Sequence, residues 1–134
     1  MYVLEECVNK SGLERPLLHL VKLRASQING CAWCIDMHTK DARAESETEQ
    51  RLYLVSAWRE SPVFTERERA ALAWTESVTL VSENHVPDDV YDFVRTQFSE
   101  KEIVYLTLAI VAINGWNRVM ISLRAVPGNY KPTH

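Results

Sequence analysis

A chain of 134 residues with 46% apolar and 25% charged side chains has the size and make-up of one globular domain with its own core. A formal charge of −3 without clustered Lys or Arg speaks against a nucleic-acid surface, because phosphate binding relies on such clusters. No run of about 18 apolar residues suggests a membrane span, Met1-Tyr-Val-Leu-Glu-Glu lacks the features of a signal peptide, and three cysteines do not form a secreted disulfide framework; a reducing cytoplasm is expected, with no membrane partner.

In chain order, Pro16 suits the first turn of a helix running through Leu17, Leu18, Val21, Leu23 and Ala25. Gly30 breaks that pattern, and Ile35, Asp36 and Met37 resume it. Ser46-Glu-Thr-Glu49 fits a capping box ahead of a helix with Leu52, Val55 and Trp58, which ends at a loop around Glu60-Ser-Pro62. Thr65-Glu-Arg-Glu68 is a second box, leading into Ala70, Trp74, Val78 and Val81. Pro87-Asp-Asp opens a shorter helix through Val90, Val94 and Phe98, its acidic first turn suited to the helix dipole. Ser99-Glu-Lys-Glu102 is a third box, followed by Ile103 to Ile113, a stretch with almost no polar face. Such a helix is expected to be central or covered by a partner subunit. With no period-2 strand, repeat or low-complexity tract, the expectation is an all-α single domain over residues 1–134.

Cys31-Ala-Trp-Cys34 followed by His38 carries the chemistry. Positions 31, 34 and 38 are three and four residues apart and share one face of a helix. At a helix amino terminus, unpaired N–H groups lower a thiol's pKa from about 8.5 toward roughly 3.5–7.5. His38, four residues beyond Cys34, is placed to exchange its proton. A peroxide attacked by Cys34 leaves a sulfenic acid there, and Cys31 condenses with it to a disulfide. Cys34 is thus read as the attacking thiol and Cys31 as the resolving one. Three other readings stand beside this: two packed core cysteines, a dithiol oxidoreductase acting on protein thiols, and a structural zinc site of Cys31, Cys34, His38 and His19.

The segment from Leu20 through Ser26-Gln-Ile-Asn-Gly-Cys-Ala-Trp-Cys34 to Ala42, with Ser56 to Glu60, Phe64 to Ala70 and Asn114-Gly-Trp-Asn-Arg118, resembles the alkyl hydroperoxidase D-like branch of the carboxymuconolactone decarboxylase family. The resemblance is strongest over residues 12–124. It implies an all-helical fold assembled as a homotrimer or homohexamer, and a cofactor-free thiol peroxidase of antioxidant type. Its substrate would be a hydroperoxide and its electron donor a lipoyl- or thioredoxin-like dithiol. It gives Cys34 the peroxidatic role, Cys31 the resolving role and His38 a place in the proton relay. Cysteine-free branches include lactone decarboxylases, and both cysteines here argue against that activity. The family's relay also uses a glutamate twelve residues before the first cysteine, where this chain has His19. An imidazole titrates near ~6.5 rather than ~4.3. His19 is therefore a candidate relay residue with an altered pH dependence, or a packed histidine.

Arg24, Ser26, Gln27 and Asn29, just before the motif, are read as capping and turn residues around Gly30. Asn117 and Arg118 are expected to make structural hydrogen bonds near the site. Trp33 is placed as an apolar wall, and Trp58, Trp74 and Trp116 as core or interface. Cys7, His85 and His134 receive no role.

Overall fold

The computed structural model describes residues 1–133; His134 lies outside the described residues. The helices follow in the order α1 (Tyr2–Asn9), α2 (Arg15–Asn29), α3 (Ala32–Ala44) and α4 (Glu49–Leu54), then a 3-10 segment (Val55–Glu60), then α5 (Glu66–Thr79), α6 (Val81–Asn84), α7 (Asp88–Gln97) and α8 (Glu100–Ser122). The described residues form no strand, so the fold is the all-α single domain expected.

The central helix is α2, packed against α3, α5 and α8. Its two faces serve two cores. Leu17, Leu18 and Val21 join Val8, Ala70, Trp74, Val94, Phe98, Leu106 and Ile110, while Leu20 and Leu23 join Ala42, Leu52, Val55, Trp58, Phe64 and Leu72. Complete burial of a leucine contributes roughly 2 kcal/mol relative to exposure, so Leu20 and Leu23 anchor α2 strongly in the second core. Helix α8 is only partly enclosed by its own chain. Leu106, Ala109, Ile110 and Ile113 are buried, but Val104 is 58% and Val111 49% exposed. By length and composition α8 is apolar enough to cross a membrane. Here it packs on α1, α2, α3, α5 and α7 as a core helix, with the polar Asn117 buried on it.

Helix ends follow local chemistry at most boundaries. Thr65 and Glu68 form a reciprocal capping box, as do Ser99 and Glu102. Pro16 sits in the first turn of α2. The box expected at Ser46 does not form. Ser46 takes a left-handed φ of 74°, turning the chain between α3 and α4, and Thr48 caps α4 instead, accepting the Arg51 N–H at 3.3 Å. The residue three beyond Thr48 is Arg51, which has no carboxylate to complete a box.

Candidate active site

The turn that delivers the cysteines is a Schellman motif. Gly30 adopts φ 71°, its N–H bonds to the Gln27 carbonyl at 3.2 Å, and the Cys31 N–H bonds to the Ser26 carbonyl at 3.0 Å. Open space surrounds the position where a Gly30 side chain would begin, so the left-handed backbone is what requires glycine there. Cys31 is then the N-cap of α3, and its Sγ accepts the Cys34 N–H at 3.3 Å. The Cα atoms of Cys31 and Cys34 are 5.3 Å apart and the two sulfurs are bonded. Both cysteines are almost wholly buried, 1% and 2% exposed.

Side chains from α8 hold this turn in place. Asn117, fully buried, donates to Ser26 Oγ at 3.0 Å and accepts from Asn29 Nδ2 at 2.9 Å. Asn29 also donates to Asn114 Oδ1, and Asn114 donates to Thr79 Oγ1. The structural role expected of Ser26, Asn29 and Asn117 is therefore present. Arg24 and Arg118 stand outside this network's core: Arg24 reaches Glu76 on α5 and Gln27, and Arg118 bonds Asn114 at the exposed side.

Cys34 lines a cavity of about 330 Å³, together with His38 and His19. Cys31 is not among its lining residues. Trp33, Met37, Trp116, Met120 and Tyr2 give the cavity an apolar wall, while Arg15, Lys22, Glu5 and Asp41 supply charge. Trp33 lies edge-on to Tyr130, with ring centroids 6.0 Å apart, and the Tyr130 hydroxyl donates to Asp41 Oδ1 at 2.6 Å. The returning C-terminal segment is fastened to α3 by Lys40 Nζ, which donates to the carbonyls of Gly128 and Tyr130. Trp58 and Trp74 are buried as expected, Trp116 lines the cavity, Cys7 is exposed, and His85 sits in a left-handed turn after α6.

Of the predicted site residues, the structure thus brings Cys34, His38 and His19 together on one wall, with Cys31 bonded behind. His19 Nε2 is 2.8 Å from Glu45 Oε2, and Arg15 grips the same carboxylate through two bonds of 2.7 and 2.9 Å. Glu45 was not singled out from the sequence. Its signal lies in spacing: residues 34, 38, 41 and 45 form one stripe along α3. The proposed zinc donors do not converge. The two sulfurs are joined to each other and His19 Nε2 faces Glu45. Among the described residues no group of three His, Cys, Asp or Glu side chains is arranged to hold a metal ion.

Burial pushes His38 down to about 3, helped by Lys22 and His19 nearby, and burial likewise lowers His19 against the opposing pull of Glu45. Both rings are therefore neutral at pH 7. From pH 6.5 down to about 3 the unfolded chain takes up a proton at residue 38 that the folded protein refuses. Stability from this source is complete above pH 6.5 and falls as pH is lowered, at most ~1.4 kcal/mol per pH unit. Denaturant unfolding of the oxidised protein between pH 7 and 5 is expected to show about 2 kcal/mol of loss. His38→Gln should flatten that slope; an equal slope in the variant removes His38 as its source.

The family pattern described as carboxymuconolactone decarboxylase matches residues 1–77. An uncharacterized Bacillus subtilis protein, YdfG, is 45% identical over 123 residues, 92% of this chain and 84% of that protein. A crystal structure of an Agrobacterium tumefaciens protein of unknown function, suggested to be the antioxidant defence protein AhpD, is 50% identical with a TM-score of 0.93, over 96% of this chain and 88% of that one. An uncharacterized peroxidase-related protein from Silicibacter sp. TM1040 shares the fold alone, at 20% identity and a TM-score of 0.83, over 96% of this chain and 68% of that one. The chain belongs to the carboxymuconolactone decarboxylase family, in its alkyl hydroperoxidase D-like branch.

Proposed function

We propose that the protein is a thiol-dependent hydroperoxide reductase working through a Cys31–Cys34 dithiol–disulfide cycle. The observation that carries this reading is a bonded cysteine pair whose second member opens onto an apolar cavity beside two imidazoles. The Cys34 thiolate attacks the outer peroxide oxygen, the O–O bond breaks, and the alkoxide takes a proton from the relay that includes His38 and His19, leaving alcohol and a Cys34 sulfenic acid. The Cys31 thiol attacks that sulfur and water departs. An external dithiol then reduces the disulfide and is itself oxidised, so the sum is hydroperoxide plus dithiol giving alcohol, water and disulfide.

Because both sulfurs are almost fully buried, a reductant has to reach them through the cavity. This favours a slender lipoyl-like dithiol over the broad face of a thioredoxin-like donor, and it counts against protein thiols as substrates. A reducing cytoplasm is the compartment that would supply such a donor. The exposed Val104 and Val111 on α8 and Tyr2 and Val3 on α1 suit burial between copies in a homotrimer or homohexamer. Cumene hydroperoxide supplied with dihydrolipoamide should be consumed in step with dithiol oxidation. Disulfide exchange without peroxide consumption would overturn the reading in favour of a protein-thiol oxidoreductase.

A further inference from the structure

The central helix presents His19 to the cavity, and a carboxylate from α3 is brought against that histidine. His19, one turn into the central helix, is buried. Its Nε2 meets Glu45, which stands at the carboxyl end of α3, and its Nδ1 is buried with no hydrogen-bond partner. Arg15, one turn before His19 on α2, holds both Glu45 oxygens and so fixes the direction from which the carboxylate approaches.

A carboxylate is an acceptor only, so the neutral ring has to carry its proton on Nε2 and a lone pair on Nδ1. We propose that Glu45 is the positioning residue of the proton relay, acting through His19 by fixing this tautomer and by stabilising the imidazolium that forms when Nδ1 takes a proton. The chemistry rests on the peroxidase reading above. On ionising, Cys34 gives its S–H proton to the relay of imidazoles lining the cavity, in which Nδ1 is the nitrogen of His19 left free to take it. When the O–O bond of the peroxide breaks, the proton returns from the relay to the alkoxide, and His19 is neutral again. Glu45 stays ionised throughout, held at about 2 chiefly by Arg15.

The charges around His19 oppose one another. Lys22 and Arg15, on its own helix, disfavour the imidazolium, while Glu45 favours it. From α3, Asp41 and His38 line the same cavity wall, and from α1 Glu5 faces Lys22 at 3.7 Å. Beyond Glu45, Glu47 and Arg51 pair with each other. Glu45 is the carboxylate in direct contact with the ring.

The test begins with nitrogen-15 long-range NMR on the full-length protein. The wild type is expected to show His19 protonated on Nε2 and bare on Nδ1 at neutral pH. In Glu45→Gln the His19 titration should fall by about one pH unit or more, since an adjacent carboxylate raises an imidazole's pKa by that order. In a peroxide assay the same variant should lose at least about tenfold in kcat/KM, with its acid limb displaced to lower pH. Loss of a merely structural contact would lower stability without moving the tautomer, the titration or the limb. A wild-type ring protonated on Nδ1, or a His19 titration unmoved in Glu45→Gln, overturns the proposal. Should the wild type reduce no peroxide, the peroxidase reading fails, and the NMR result still decides whether Glu45 governs His19.

Discussion

Cys34→Ser is expected to lose peroxide turnover by at least about a thousandfold, the scale seen when a nucleophile is removed, while Cys31→Ser still reduces one equivalent of peroxide per chain and then stops. The difference follows from geometry. Cys34 borders the cavity and Cys31 does not, so a peroxide entering there meets Cys34 first. Without Cys31 the sulfenic acid on Cys34 has no neighbour to condense with, and a dimedone trap should label it there. Helix electrostatics make a competing demand. Cys31 is the N-cap, its sulfur accepting the Cys34 N–H, a contact that favours a thiolate at position 31. Rapid-quench measurement of the first turnover separates the two influences. A full burst in Cys34→Ser, with none in Cys31→Ser, would exchange the roles and show thiolate stability outweighing access.

The parts of this molecule legible in its sequence are those decided within a few residues. The boxes at Thr65 and Ser99, the proline entry to α2 and the glycine exit at Gly30 need only their own neighbours. The same logic misleads at Ser46, where S-x-x-E spacing is present but the chain spends that residue on a left-handed turn. At α8 composition leaves the covering surface open: an apolar pattern shows that a face avoids water and not whether its own chain or a partner covers it. Val104 and Val111 remain open in the isolated chain. At the site, Cys31, Cys34 and His38 share one helix and were readable from spacing. His19 was readable from the residues only as a candidate metal donor, and as a relay residue only by resemblance. Glu45 and Tyr130 reach the site through contacts 26 and 89 residues distant in sequence, with His19 and Asp41. No local rule reports such pairings, although the stripe of polar residues on α3 marks the face on which they occur.

Asn117→Ala is expected to destabilise the fold by about 2–4 kcal/mol, a large effect for a residue that touches no reacting atom. The side chain is wholly buried between α2 and α8, so its donor and acceptor have no solvent to return to. Removing it takes from Asn29 one of its two acceptors and from Ser26 Oγ its donor, and leaves a void lined by polar atoms. At this chain length the loss corresponds to a fall in Tm on the order of 10 °C. The consequence reaches the chemistry because Ser26 also supplies the carbonyl that binds the Cys31 N–H. Ser26 Oγ keeps its bond to the Lys22 carbonyl, but the Schellman turn loses two of its ties to α8. Amide exchange at Cys31 should then quicken by more than at Ala109 or Ile110, which report the body of α8. Equal acceleration at all three would mean that the variant loosens the domain generally. A selective rise at Cys31 ties the buried asparagine to the placement of the redox pair, and this explains why the polar residues Ser26, Asn29 and Asn117 lie in the midst of an apolar interface.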